Sequence, residues 1–148
     1  MYSFKTGSFP KEIKTIAVLP FENETTRLEL TQELSDALRD VPRALGVSLA
    51  AEGSADAILR GRITTYRLET TANRAAESGN TTEVLQRQVT IVLTVELVDV
   101  KKNEILWEST GLVGNGQYLE ATETEDVGMK VALKLLRQKI VDGAQSTW

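Results

Sequence analysis

Neither cysteine nor histidine occurs in the 148 residues, so the chemistry open to this chain begins with its carboxylates. Disulfides, thiolate nucleophiles, zinc sites of the usual Cys/His kind and every histidine-dependent triad are removed at once. Two acidic groups stand out: Glu22 and Glu24 flanking Asn23, and Glu123, Glu125 and Asp126 further on. Acid–base catalysis needs one carboxyl desolvated and its partner held nearby, and the neighbours of both groups are polar or suited to helix caps. The second group also lacks the glycine and the ligand spacing of an EF-hand loop. Gly114-Asn115-Gly116 is glycine-rich, without the lysine or the strand-to-helix setting of a phosphate loop. A formal charge of −4 with no dense Lys/Arg cluster opposes binding to a nucleic-acid backbone. These residues point away from an enzyme, a metal site, a cofactor or a nucleic-acid partner.

The elements that would position such residues can be read from their periods. KTIAVLP at 14–20 is a buried strand stopped at Pro20. Thr26-x-x-Glu29 fits a capping box, and Leu30, Leu34, Ala37, Leu38 and Val41 follow at the spacing of one helical face. Pro42 ends or kinks that helix and Gly46 closes the segment. Residues 47–50 can add a short edge strand, and Gly53-Ser54 marks a turn. In 57–69, Leu59, Gly61 and Ile63 alternate with Arg60, Arg62 and Thr64; the phase then changes at Tyr66 and Leu68, which calls for a bulge near Thr64 and Thr65. Val89, Ile91, Leu93, Val95 and Leu97 give the cleanest alternation. After a tight turn at Lys101-Lys102-Asn103, the residues Ile105, Trp107, Ser109, Gly111 and Val113 continue it. The polar segment 70–82 is expected to be a long loop. A last helix is expected after a second capping box, Thr122-x-x-Glu125, with a stripe of Val127, Val131 and Leu135 widened by Ala132, Leu136 and Ile140.

The order strand, helix, strand, strand, strand, helix implies an α+β two-layer sandwich. About four strands form a mixed sheet, and both amphipathic helices bury their stripes on one face of it. The other face then carries Arg60, Arg62, Thr64, Thr90, Val92, Thr94, Glu96, Glu108 and Thr110. Such a polar, threonine-rich face either meets water or docks a protein. On the second reading Arg60, Arg62, Thr64, Thr90, Thr94 and Thr110 are the partner-facing residues.

Several segments, taken in order, resemble the lipopolysaccharide-assembly lipoproteins (the LptE family). They are Tyr2-Ser3-Phe4, Ile13-Lys14-Thr15-Ile16-Ala17-Val18 and Pro20-Phe21-Glu22-Asn23. Further on come Ala55-Asp56-Ala57-Ile58-Leu59 with Gly61, Ile63 and Tyr66, then Leu97 with Asp99, Glu104-Ile105-Leu106-Trp107-Glu108, the helix-rich 123–141 and Trp148. The resemblance implies two helices on a four-stranded sheet and a non-enzymatic role. It implies a lipoprotein held at the periplasmic face of the outer membrane, which plugs and helps assemble the β-barrel translocon that exports lipopolysaccharide. By position, Arg74, Lys101 and Lys102 are the candidates for lipopolysaccharide headgroup contact. Residues 1–12 are then expected to be an arm following a lipid anchor that this sequence does not contain, and 13–148 a single domain. The alternative is another envelope lipoprotein, acting as a synthase activator or secretion-pore component.

Overall fold

The apolar run at 14–20 is extended only where it can pair. In the computed structural model, which describes residues 9–75 and 83–146, β1 (Thr15–Val18) stops before Pro20, which has no N–H to give to a ladder. The chain resumes as β2 (Glu22–Asn23) and enters α1 (Leu30–Leu38), which buries Leu30, Leu34 and Leu38. Pro42 lies in the first turn of the short α2 (Val41–Ala44), where its missing N–H costs nothing. Gly46 takes φ 81° at the exit, and β3 (Ser48–Leu49) returns parallel to β1. Three long strands follow, β4 (Ala57–Ala75), β5 (Glu83–Asp99) and β6 (Glu104–Leu119), each antiparallel to the next. Helix α3 (Glu125–Ser146) closes the chain. The sheet order is β3-β1-β4-β5-β6, with β2 pairing the same side of β4 further along. This is the expected α+β sandwich, with the edge strand expected at 47–50 present as β3 and the short β2 added to the sheet.

The core lies between the sheet and the helices. Leu59, Ile63, Ile91, Leu93 and Leu97 of the sheet and Leu30, Leu34, Leu38, Leu136 and Ile140 of the helices are all essentially inaccessible. Each such side chain contributes roughly 1.5–3 kcal/mol on burial. Helix α3 sits directly on β6, and glycines make this possible. A Cβ on Gly114 would overlap Leu136 Cγ; one on Gly116 would overlap the Gly128 carbonyl oxygen and lie 2.8 Å from the Ala132 nitrogen. The Gly114-Asn115-Gly116 run is therefore the bed of a helix.

Four local expectations are corrected. Segment 70–82 is not a loop throughout, because β4 continues to Ala75 past a second register shift between Thr70 and Ala72, and β5 begins at Glu83; the residues between lie outside the described ones, as do Tyr2, Phe4 and Trp148. Neither capping box forms. Helix α1 has Glu29 at its cap position without a side-chain bond, and the entry is organised by Asn23, whose Oδ1 accepts from the Thr25 amide (2.9 Å) and hydroxyl (2.7 Å). Glu123 reaches back to the Leu119 amide (2.7 Å), and Thr122 lies before the cap position of α3. Shifts in register beside Leu106 and at Gly111 (φ 77°) break the alternation in β6, so Trp107 faces the helices while Ile105 is 52% exposed. Finally, α3 buries Met129, Ala132, Leu133, Leu136 and Ile140, leaving Val127 and Val131 exposed. The bulge expected near Thr64 and Thr65 is present, between Ile63 and Thr65.

Candidate interaction face

With both helices on one side, the other face of β4, β5 and β6 is left uncovered. Register sets its side chains in rows: Arg60, Glu96 and Glu108; then Arg62, Thr94 and Thr110; then Arg67, Thr90 and Asn115. The arginines do not stand free. Arg60 Nε lies 3.1 Å from Glu96 Oε1, and Arg62 Nε lies 3.2 Å from Glu24 Oε2 beyond the end of β2. Pairs this exposed contribute at most about 1 kcal/mol each; their larger effect is to leave the face nearly neutral. Around them Leu19, Pro20, Glu22 and Glu108 help line a depression of about 400 Å³.

Among the six residues expected on this face, five are half-buried or exposed and one is not. Thr64 occupies the bulge and donates its hydroxyl to the Val92 carbonyl (3.2 Å). Thr94 is half-buried and Thr110 exposed. Thr90 keeps the expected orientation but is only 3% exposed, and its hydroxyl accepts from Gln88 Nε2 (3.3 Å). Gln88 belongs to an amide chain that the sequence reading missed, in which Gln86 donates to Gln117 and Gln117 Nε2 to Gln88 Oε1 (3.2 Å). The signal was present as polar residues at alternate positions 86, 88 and 90 of one strand.

The three headgroup candidates are not brought together. The backbone of Arg74 pairs with Val84 at the start of β5, while Lys101 and Lys102 follow its end. The 17 residues of β5 span about 55 Å at roughly 3.3 Å each. Lys101 Nζ lies 3.4 Å from Asp56 and Lys102 Nζ 3.8 Å from Glu12. Asp56 also accepts the Lys14 amide (2.9 Å), and that bond, assisted by Lys101, holds its carboxyl below the usual range.

On the helix side, Tyr66 and Glu125, read in the sequence as a strand residue and a helix start, converge with Arg27, which was not singled out there. Tyr66 donates its hydroxyl to the Glu125 carboxylate, Arg27 pairs with the same carboxylate, and the Arg27 guanidinium stacks 4.7 Å from the Tyr66 ring centre. Burial, and then the hydrogen bond to Glu125 and its charge, push the phenol well above its ordinary pKa, so it remains a donor. This cluster ties the start of α3 to β4 and to the loop before α1. A second tie joins the helices: Arg137 donates to both Asp40 oxygens (2.9 and 3.1 Å). The Arg137 hydrogen bonds hold the Asp40 carboxyl below its usual pKa, against a smaller opposing effect of burial.

A group whose folded pKa is depressed stabilises above its unfolded pKa and loses that contribution as pH falls through the folded value. Asp40→Asn is therefore expected to lower stability at pH 7, by no more than about 1 kcal/mol for so exposed a pair. The difference from wild type closes below about pH 4, the ordinary carboxylate range. Thermal melts of both proteins at pH 7 and pH 3 check this.

A model of the LptE family, described as lipopolysaccharide-assembly, matches residues 13–143. The chain belongs to the LptE family. Its role accordingly lies in lipopolysaccharide assembly, and the uncovered sheet face and the two ties at α3 are features of this LptE-family chain. Among solved structures, a PelC dodecamer from Paraburkholderia phytofirmans is 18% identical, with 94% of each chain covered and a TM-score of 0.54. The hypothetical protein CT253 from Chlamydia trachomatis is 14% identical, covering 87% of this chain and 94% of that one, with a TM-score of 0.56. Protein XCC0632 from Xanthomonas campestris is 13% identical over 95% of this chain and 88% of that one, with a TM-score of 0.53. At these identities the likeness is one of fold. No curated protein matches the LptE-family chain. Among its described residues no helix is long and apolar enough to cross a membrane.

Proposed function

We propose that this LptE-family chain is a non-catalytic assembly subunit that plugs the β-barrel translocon exporting lipopolysaccharide. In this reading a lipid on the N-terminal side of residue 13 holds it at the periplasmic face of the outer membrane. The observation that carries the reading is the uncovered face of β4, β5 and β6, taken with the family. That face is nearly neutral through the Arg60–Glu96 and Arg62–Glu24 pairs, and furnished with threonine hydroxyls. It suits docking without a large apolar patch, since interfaces of this kind need be no more apolar than the rest of a protein surface. Direct lipopolysaccharide contact through Lys101 and Lys102 would have to displace Asp56 and Glu12, so the sheet face is the stronger support.

The test is co-expression of the lipidated protein with its cognate barrel, followed by purification through the barrel. A stoichiometric complex is expected. Arg62→Glu, Thr94→Glu and Thr110→Glu combined are expected to abolish it, because they add three carboxylates to the row and also leave Glu24 without its Arg62 partner. Absence of any wild-type complex would sink the plug reading, and wild-type yield from the triple variant would remove the sheet face from it. A ring-shaped homo-oligomer would favour a pore component instead; PelC from Paraburkholderia phytofirmans was solved as a dodecamer.

A further inference from the structure

Strand β6 is the free edge of the sheet on its side, and the middle of that edge is open. Two bonds fix which way its backbone points. The Glu120 amide donates inward to the Leu85 carbonyl (3.0 Å), whereas the Val113 carbonyl points outward and accepts from Lys139 Nζ (2.7 Å). Alternation then turns the N–H and C=O groups of Val113, Asn115, Gln117 and Leu119 away from β5. Both ends of this row are closed. Lys139 covers Val113; at the other end the Leu119 amide bonds Glu123 Oε1 (2.7 Å), and its carbonyl accepts from the amides of Thr122 (3.2 Å) and Glu123 (2.8 Å). Between them, the outward backbone groups of Asn115 and Gln117 have no partner within the described residues. Helix α3 flanks the same edge with the stripe that the fold leaves out of the core. Val131 is 48% exposed, and its Cβ lies 2.8 Å from where a Cβ of Gly116 would be.

We infer that this edge is an isologous interface between two copies of the chain. A twofold axis at Gly116 sets β6 antiparallel to its mate, so that Asn115 of each copy meets Gln117 of the other and the open residues exchange N–H···O=C bonds. The same axis brings the exposed Val131 side chains of the two α3 helices together. It also sets Val113 opposite Leu119 of the other copy, and so Lys139 of each beside Glu123 of the other. Open backbone, apolar stripe and opposite charges are thus all self-complementary about one point. A shifted register would drive an open residue against a closed one and lose the charge match. A foreign strand could satisfy the hydrogen bonds, but it would owe nothing to the symmetry of the charges, which is what selects a second copy. The inference is independent of the barrel reading.

Sedimentation velocity from about 1 µM to about 500 µM covers weak and strong homodimers, and a monomer–dimer equilibrium is expected. Gln117→Pro removes an outward N–H from an edge strand, where proline is tolerated, and is expected to leave the melting temperature within a few degrees of wild type while abolishing the dimer. Val131→Asp is expected to weaken it at least tenfold. Because the chain has no cysteine, Val131→Cys supplies a single thiol that should oxidise to a covalent dimer, whereas Glu52→Cys, on an exposed turn away from this edge, should not. A wild-type protein that stays monomeric throughout overturns the inference and assigns the edge to a foreign strand. Dimers that survive both Gln117→Pro and Val131→Asp overturn it equally.

Discussion

Protein carrying Gly116→Val is expected to lose about 3 kcal/mol of stability or more, at the upper end of what overpacking costs. For a domain of this size that is a fall of roughly 10 °C in melting temperature, read by thermal or urea denaturation. Intrinsic preference acts in the opposite direction, because valine is favoured in strands and glycine is not, by up to about 1 kcal/mol. Packing wins because the obstruction is backbone. The added Cβ would overlap the Gly128 carbonyl oxygen and crowd the Ala132 nitrogen at 2.8 Å, and neither can turn aside as a flexible side chain could. Relief requires α3 to lift from β6, which loosens the burial of Ala132, Leu136 and Ile140 together. Gly53→Ala is the control: nothing lies within 4 Å of a Cβ there, and the change is expected to stay within about 0.5 kcal/mol. A Gly116→Val protein as stable as wild type would mean that α3 does not rest on this strand.

The alternation of Val89 to Leu97 made β5 legible, because a strand between two others with one buried face must repeat every second residue. The phase change at Tyr66 made the β4 bulge legible for the same reason. What alternation could not carry was β6, whose extra residues beside Leu106 and at Gly111 each reset the phase. The glycines of 114–116 were visible as a composition, but their use depends on a helix that arrives afterwards. The stripe on α3 was misplaced for a related reason. Val127 and Val131 lie at helical spacing, yet glycine and alanine at 128 and 132 are what allow close approach, so the small residues mark the buried face.

The candidate site divides in the same way. Which strand residues share a face follows from parity, and the register sets Arg60, Arg62, Thr94 and Thr110 in adjacent rows. Whether a side chain on that face is covered depends on its neighbours in the row, and Thr90, between Arg67 and Asn115, is covered. The cluster of Arg27, Tyr66 and Glu125 joins residues up to 98 apart in sequence. Each had a sufficient local reading, as loop, strand or helix start, so no local pattern could disclose the cluster.

Leu34→Ala is expected to cost about 2–5 kcal/mol, the range for deleting a fully buried leucine side chain. Leu34 is 0% exposed at the middle of α1. A helix of nine residues is not stable by itself in water, and this one has no side-chain cap, so its existence rests on Leu30, Leu34 and Leu38 reaching the sheet. A cavity at the central leucine removes a large part of what docks it, against a total stability of about 5–15 kcal/mol for an ordinary domain. Urea unfolding should show a lower midpoint, and Asp40, which ends the segment, should lose its fixed position against Arg137. The contrast that decides the cause is Thr26→Ala. If the box read from Thr26 and Glu29 formed, that change would cost about 1 kcal/mol; because the turn is instead built by Asn23 on Thr25 and Arg27, it is expected to cost less than about 0.5 kcal/mol. A large loss at Thr26 with a small one at Leu34 would place the stability of α1 in its cap. The reverse places it in the core, where the three buried leucines already put it.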